Sequence, residues 1–534
     1  MRFRLLVTDE IDPEGLALLR AVESFDVDEV PTLPADQLLS RIGDYDAIVG
    51  RSATRISEPL LRAATRLRVV GRAGVGVDNV AMDAATALGI AVINAPGGNT
   101  IAVAELFFGA VIGLLRHIPR ATTSMHAGRW ERSALMGSEL RGRTLGIVGL
   151  GRIGTAVALR ARAFGMSVVA YDPYIAADRF AQQQVTQAES LAALLSQSDI
   201  VTVHTPLTDE TRGMIDADAL ALLRPGAVVA NLARGGIIDE ASLAAACAAG
   251  RVRGAILDAY TTEPLQGDHA FVALDNVLLL PHLGASTLEA QRDVAVDVCA
   301  AVRDALLDGE LSRSLNVAAG PDDWRAIRPA LLLARRAAAV ARAQLVDRGE
   351  RAIVRVSVRV GPELTSAAGL LLAAAAAGAL EGAVEGDRLN FINARSVAAA
   401  RGVELAVLDG ADAPHPRAIE VRVRAGSEEL RIGGVAAADA PVRLTRIGAF
   451  HIDVAPRGTL IVLSNADVPG VIGRVGTTLG DAGVNIAEYH QARLQEGGDA
   501  LAVISVDGVP ARGLREVLLA LPDVRAATIV EFRE

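Results

Sequence analysis

The chain has 534 residues, half of them hydrophobic, with 53 basic and 63 acidic side chains and a formal net charge of −10. That length exceeds a single hydrophobic core and implies three or four domains, while the acidic balance gives no electrostatic footprint for nucleic acid or for an anionic membrane. All 53 basic residues are arginine, which excludes Schiff-base and lysine general-base chemistry.

The N-terminus, Met1-Arg2-Phe3-Arg4-Leu5-Leu6-Val7, is short, charged and strand-like, without the apolar region or small-residue cleavage site of a signal peptide. Short β-branched runs then alternate with helical periods, the pattern of a parallel sheet flanked by helices. Strands are expected at 4–8, 47–49, 69–71 and 91–94. A helix over about 103–116 leads into a second series, with strands at 145–148, 167–171, 200–205, 227–232, 254–258 and 277–280. These runs are almost purely apolar, as strands buried on both faces are. Cys247 and Cys299 fall in Ala/Val-rich helical contexts and read as buried thiols, with neither a disulfide frame nor a metal site, in keeping with a reducing cytoplasm. A Gly/Pro/Asp break over 316–322 marks a boundary. An Ala/Leu/Arg-rich helix over about 324–348 follows, then strands and helices to about 455. The longest uncharged apolar stretch, 367–380, has 14 residues, short of the roughly 20 that a membrane span needs, and is expected as a packed helix. After Pro456-Arg457-Gly458 the order strand–helix–strand–strand–helix–strand predicts a ferredoxin-like module.

Two constellations carry chemistry. In the first, the strand Leu145-Gly146-Ile147-Val148 runs into Gly149-Leu150-Gly151-Arg152-Ile153-Gly154, which opens a helix, and Asp172 closes the next strand 18 residues beyond Gly154. Gly149 permits the tight turn, Gly151 the close approach of a pyrophosphate, and Gly154 the packing of helix on strand. The helix N-terminus offers free N–H groups to phosphates, lined by Arg152 and Ile153. A carboxylate at Asp172 accepts hydrogen bonds from a ribose diol and repels a 2′-phosphate, so NAD is expected rather than NADP. In the second, Arg234, Glu263 and His282 follow successive strands at their carboxyl ends, where open α/β sheets bind ligands. Hydride transfer at a 2-hydroxy acid needs a cation for the carboxylate, which a guanidinium supplies bidentately. It also needs a proton group titrating near neutrality, which is histidine, and Glu263 beside the imidazole orients it. Singly, each residue reads as a surface ion pair or a satisfied histidine; together, after a dinucleotide turn, they point to catalysis.

The segments LGRIG, ARGG, DAYTTEP and PHLGAST resemble the D-isomer-specific 2-hydroxyacid dehydrogenases. The resemblance implies that Arg234 binds substrate and that Glu263 and His282 handle the proton. It places Asp258 at the nicotinamide amide, and His204, Thr205, Pro206, Ala233, His282 and Gly284 along the cofactor. Ala259-Tyr260 stands where the family has Val-Phe, and Ala102 where it has Ser. The implied fold is α/β, with two doubly wound Rossmann-like domains, one inserted in the other: 1–98 with 286–320 for substrate, 99–285 for NAD. RSAT at 51–54 and GRAGVGVDNV at 71–80 resemble the branch whose substrate is D-3-phosphoglycerate. There Arg51, Ser52 and Arg72 are expected at the phosphate, and Val75, Gly76 and Asn79 at the carboxylate, with Arg132 acting across a dimer interface. A salt bridge from Arg51 or Arg72 to Asp78 or Glu58 is the competing reading.

Residues 321–455 resemble the α+β intervening domain of long members, and 456–534 resemble an ACT domain, a ligand-sensing unit. Within it Asn465, Asp467 and Asn485 fall where relatives bind L-serine, the alternative being an ACT fold used only for oligomerisation. The expected activity is NAD-dependent oxidation of D-3-phosphoglycerate to 3-phosphohydroxypyruvate, which opens L-serine biosynthesis, in a cytoplasmic homodimer or homotetramer without metal. Two alternatives use the same residues: an NAD-responsive scaffold without catalysis, and a dehydrogenase of another small D-2-hydroxy acid.

Overall fold

Short apolar runs punctuated by turns form four sheets in the computed structural model, which describes residues 2–317, 324–382, 388–437, 441–511 and 513–532. The first sheet has the order β2-β1-β3-β4-β5, all parallel: β1 (Phe3–Val7), β2 (Phe25–Glu29), β3 (Ala47–Gly50), β4 (Val69–Arg72) and β5 (Ala91–Asn94). β2 is absent from the expected strands because it reads Phe-Asp-Val-Asp-Glu. Three acids hide it from a search for apolar runs, and an edge position tolerates them. The helix Leu288–Asp308 returns from far along the chain to cover this sheet, placing Val294, Val298 and Val302 in one core with Leu5, Val49 and Ile93.

The helix Thr100–Leu115 begins three residues earlier than expected and leads to a second parallel sheet. Its order is β12-β11-β10-β9-β6-β7-β8. The strands are β6 (Thr144–Val148), β7 (Ser167–Tyr171), β8 (Thr186–Gln187), β9 (Ile200–Val203), β10 (Ala227–Asn231), β11 (Val252–Leu257) and β12 (Val277–Leu279). The order reverses between β6 and β9, which opens a crevice at their carboxyl ends. β9 stops at Val203 instead of running to 205, so His204, Thr205 and Pro206 form the loop above it.

The third sheet, β14-β13-β15-β16-β17-β18, holds β13 (Ile353–Val360), β14 (Glu404–Leu408), β15 (Ala418–Ala425), β16 (Glu428–Val435), β17 (Arg443–Ile447) and β18 (Phe450–Val454). Its only parallel pair among the described residues is β13 with β14. The helices Trp324–Asp347 and Ala368–Leu380 pack on it and on each other. The apolar stretch read as 14 residues is the end of a longer helical run, Pro362–Leu380, which starts with a 3-10 turn over Pro362–Ala367. At 19 residues it passes for a membrane span by length and composition, yet 78% of its apolar window is buried inside the fold. The fourth sheet, β20-β21-β19-β22, is antiparallel: β19 (Thr459–Ala466), β20 (Ile486–Arg493), β21 (Asp499–Val506) and β22 (Val524–Glu531). With the helices Val471–Asp481 and Leu514–Leu519 it gives the expected βαββαβ order. The break expected over 316–322 lies, from 318 onward, outside the described residues.

One segment of the third unit grips the first. The Arg388 guanidinium donates to the carbonyls of Leu61 (3.4 Å), Ala64 and Thr65 (3.3 Å), at the end of the helix Glu58–Ala63. Asn390 and Asn393 donate to Gly89 and Ala87 at 2.8 and 3.2 Å, at the end of the helix Met82–Ala87. Both helix ends thus receive donors for carbonyls that have no partner within their own helix.

Candidate active site

The glycine-rich turn has the geometry its spacing requires. Gly149 sits at φ 93°, in the left-handed region, and its N–H donates to Tyr171 O at 2.9 Å. A Cβ at Gly154 would lie 2.1 Å from Gly149 O, so only glycine lets the helix Arg152–Ala163 start here. Gly151, by contrast, faces open space, and no side chain caps the helix it opens, which leaves N–H groups for an anion. Arg152 is exposed and Ile153 half-buried beside it. Asp172 is anchored: Oδ2 accepts from Leu150 N at 2.9 Å and Oδ1 from Tyr174 N at 3.0 Å.

Buried polar atoms with no partner among the described residues include His204 Nδ1 and Thr205 Oγ1, of residues that lie against Gly149, and Asn99 Oδ1 and Thr100 Oγ1 at the start of the helix Thr100–Leu115. Buried polar groups ordinarily have partners, so these orphans fit a polar dinucleotide. His204 Nε2 lies 3.0 Å from Thr202 Oγ1, and burial lowers the imidazole pKa to about 4, which keeps it neutral. Pro206 is exposed, with its carbonyl accepting from Thr211 Oγ1 at 2.7 Å. Asn99 and Thr100 escaped the sequence reading as site residues; polar side chains at a helix start, just after Gly97-Gly98, were the available signal.

The three strand ends β10, β11 and β12 bring together the proton pair and its supports. His282, in the left-handed region at φ 57°, places Nδ1 2.8 Å from Glu263 Oε2, while Glu263 Oε1 accepts from Tyr260 N at 3.0 Å. The Nδ1 contact leaves Nε2 as the atom available to a substrate. Asp258 is buried, and its two oxygens accept from Leu283 N (2.7 Å) and Gly284 N (2.8 Å), fixing the loop that carries His282. Burial raises its carboxyl above the usual range, although those two bonds pull the other way. Tyr260, where the family has phenylalanine, lies 2.9 Å from the carbonyls of Leu257 and Leu280 through its hydroxyl, so it ties β11 to β12 directly under the pair. Ala233 is set by its N–H, which donates to Asn231 Oδ1 at 3.1 Å.

Arg234 reaches across to the first sheet. Its Nε donates to Asp78 Oδ2 at 2.9 Å, over 156 residues of sequence, and its NH1 to Ala233 O at 2.7 Å. There it meets Arg72, whose pKa is lowered to about 10 by burial first and then by the charges of Arg234 and Arg51, leaving it cationic at neutral pH. Arg72 donates to Ala73 O at 3.1 Å and its Nε is buried without a partner. Glycines make the room: a Cβ at Gly74 would lie 1.4 Å from Arg72 NH1, and one at Gly76 would lie 1.8 Å from Arg234 NH2. Among the described residues neither Arg51 nor Arg72 closes the ion pair weighed above; Asp78 is taken by Arg234 and Glu58 by Arg62.

Several of the expected substrate residues make contacts that hold this loop. Both donors of the Asn79 amide are spent on Arg51 O (2.9 Å) and Thr54 O (2.7 Å). Val75 O accepts from Asn94 Nδ2 at 2.5 Å. Asp9, which the sequence reading missed, organises the same loop by accepting from Arg51 N, Thr54 N, Thr54 Oγ1 and Thr32 Oγ1. Ser52 is exposed at the loop tip, and Arg132 lies on the exposed 3-10 turn Arg132–Leu135, with no described contact to the arginine cluster.

The expected effector residues do not converge within one chain. Asn465 pairs with Ala500 near the end of β19, and Asp467 follows it, bound to Arg493 (3.1 Å) and Gly497 N (3.2 Å). Asn485 precedes β20, whose first residue pairs with Val506, which in turn pairs with Thr459 at the opposite end of β19. Asn465 is fully buried, its Oδ1 without a partner, and Asn485 donates to Asp507 at 2.6 Å.

Residues 108–284 match the model of the D-isomer specific 2-hydroxyacid dehydrogenase NAD-binding domain, and 459–523 that of the ACT domain. The chain is 37% identical over 531 residues to D-3-phosphoglycerate dehydrogenase of Synechocystis sp., covering 99% of this chain and 95% of the relative. The chain belongs to the D-3-phosphoglycerate dehydrogenases. The member from Bacillus subtilis is 36% identical, with 99% and 100% covered, so the match includes the two C-terminal units. Solved structures match the dehydrogenase half. A glyoxylate reductase from Paecilomyes thermophila superposes with a TM-score of 0.55 at 31% identity, covering 59% of this chain and 98% of its own. The TT0316 protein from Thermus thermophilus gives 0.54 at 33%, covering 58% and 99%. D-3-phosphoglycerate dehydrogenases are NAD enzymes of the 2-hydroxyacid class, and the orphaned polar atoms of His204 and Thr205, residues that lie against Gly149, suit that cofactor.

Proposed function

We propose that the cleft oxidises D-3-phosphoglycerate with NAD to 3-phosphohydroxypyruvate, the opening reaction of L-serine biosynthesis. The observation that carries this reading is the arginine cluster: Arg72, half-buried with a buried, free Nε, beside Arg51 and Arg234. A substrate with a carboxylate at one end and a phosphate at the other needs two cationic anchors. A smaller hydroxy acid would leave the buried Arg72 Nε without an acceptor, which disfavours it.

His282 takes the C2 hydroxyl proton through Nε2, and Glu263 on Nδ1 steadies the imidazolium that forms. Arg234 exchanges Asp78 for the substrate carboxylate and stabilises the developing carbonyl oxygen. NAD, when bound, would supply the acceptor for the hydride that leaves C2. The turn 149–154 would hold the pyrophosphate and Asp172 the ribose, which favours NAD over NADP. Each oxygen of Asp258 keeps a second lone pair for the nicotinamide amide while fixing the His282 loop. Asn79 and Asp9 position Arg51 and the phosphate loop.

The same reading divides the chain into 1–98 with 286–320, 99–285, 321–455 and 456–534. It places a homodimer or homotetramer in the cytoplasm, with L-serine acting between ACT units of two copies. The test is initial-rate NADH formation by the purified full-length protein with D-3-phosphoglycerate, with and without L-serine. Activity that serine suppresses supports both parts, and activity indifferent to serine leaves the ACT unit to assembly. No turnover from a protein that binds NAD would favour a smaller acid, then a scaffold.

A further inference from the structure

Tyr260 meets all three strand ends that carry the proposed catalytic residues. Its backbone lies so close to Gly235, the neighbour of Arg234, that a Cβ there would fall 2.0 Å from Tyr260 C and O. Its N–H donates to Glu263 Oε1 at 3.0 Å, and the other oxygen of that carboxylate lies 2.8 Å from His282 Nδ1. Its hydroxyl accepts from Leu280 N at 3.2 Å and lies 2.9 Å from the carbonyls of Leu257 and Leu280, with one proton to donate between them. The residue is 7% exposed, and burial pushes its pKa up to about 12, so the hydroxyl stays protonated at neutral and mildly alkaline pH.

His282 needs such a tie. Its backbone lies in the left-handed region at φ 57°, which a residue with a Cβ keeps only where surrounding contacts over-determine it. Its side chain is 52% exposed, so packing contributes little to holding the imidazole. The strand before it, β12, has three residues, sits at the sheet edge and pairs only with β11 among the described residues. Pro281 has no N–H with which to extend that ladder. Beyond His282, Asp258 pins the loop through Leu283 N and Gly284 N. Ahead of it the backbone is held at Leu280, by Leu257 O and by the Tyr260 hydroxyl.

We propose that Tyr260 is a positioning residue for the dehydrogenation: its hydroxyl anchors Leu280 and thereby sets the His282 imidazole between Glu263 and the substrate hydroxyl. This rests on the assignment of His282 as the proton acceptor. The aromatic ring fills its space with or without the oxygen, so the effect belongs to the hydroxyl and its ties to the backbone of β11 and of the segment after β12.

Tyr260→Phe keeps the ring and removes only the hydroxyl. The test is a double-mutant cycle of Tyr260→Phe with His282→Ala in the full-length protein. Initial-rate NADH formation from D-3-phosphoglycerate is counted per NAD-binding site titrated by fluorescence, so unfolded protein does not enter the rates. A displacement of about 1 Å can cost about 100-fold in rate; Tyr260→Phe should lower kcat about tenfold, with KM and NAD affinity held within about twofold. In the His282→Ala background the same change should alter residual turnover by less than about twofold, because a group that acts through His282 has nothing left to position. A merely structural hydroxyl would cost the same factor in both backgrounds. Equal losses in the two backgrounds, or a Tyr260→Phe kcat within about twofold of wild type, overturn the inference and leave the His282 assignment intact. Wild-type turnover by His282→Ala overturns that assignment, and the inference with it.

Discussion

At the scale of single residues, the chemistry rests on pairs whose partners come from different loops. The imidazole of His282 is aimed by Glu263, and a positioned acid–base group is worth about 10²–10⁴-fold in rate. His282→Ala should lower kcat by that range while NAD binding, followed by fluorescence titration, is unchanged; turnover near wild type would refute the assignment. In the proposed reaction Asp78 is the counter-ion that substrate displaces from Arg234, and its side chain is 68% exposed. Exposed pairs contribute about 0.2–1 kcal/mol, so Asp78→Asn should lower KM for D-3-phosphoglycerate by no more than about fivefold at constant kcat. A rise in KM would instead make Asp78 a device for orienting Arg234. His204 is neutral in the fold, its pKa lowered to about 4 by burial, against an ordinary value near 6.5. The unfolded chain therefore takes up a proton between those values that the folded chain refuses. Its contribution to stability is complete above about pH 6.5 and is lost as pH falls toward 4, by at most about 3 kcal/mol. Denaturant midpoints at pH 7 and 4.5 should converge in His204→Asn relative to wild type.

At the scale of elements, ends matter more than middles. The proposed catalytic residues all follow the last residue of a parallel strand, where open α/β sheets form their ligand crevice. Tyr260 joins two of these ends with one hydroxyl, which its family counterpart phenylalanine lacks. The helix ends at Ala63 and Ala87 depend on donors from another unit, Arg388, Asn390 and Asn393. Removing a charged donor and leaving carbonyls unpaired costs about 1–3 kcal/mol. Arg388→Ala should accordingly lower the calorimetric melting temperature of the dehydrogenase half, and an unchanged profile would show that water replaces the contact freely.

At the scale of the whole molecule, Asp467 and Asn485 sit at opposite ends of one four-stranded sheet, so a site that uses both must take them from two copies. Two variants test this, Asp467→Ala and Asn485→Ala. Each alone should be insensitive to serine, whereas hybrids of the two retain one intact site per pair and should regain part of the inhibition. Hybrids as insensitive as their parents would mean that serine does not bridge copies here.

Much of this organisation was legible in the sequence. The turn 149–154 with Asp172, most parallel strands and the βαββαβ order follow from short-range spacing and periodicity, while the trio Arg234, Glu263 and His282 is proposed from its strand-end positions and its resemblance to family segments. Covalent geometry and local burial fix such features within a few residues. The tertiary structure alone decided what depends on distant contacts. It brought Arg234 to Asp78 and beside Arg72, spent the Asn79 amide on the Arg51 loop, and left Asn99 and Thr100 buried without partners. It also admitted the acidic edge strand β2 and separated Asn485 from Asp467. In each case the deciding quantity is which backbone carbonyl, charge or apolar wall lies against a side chain, and chain spacing carries no record of that.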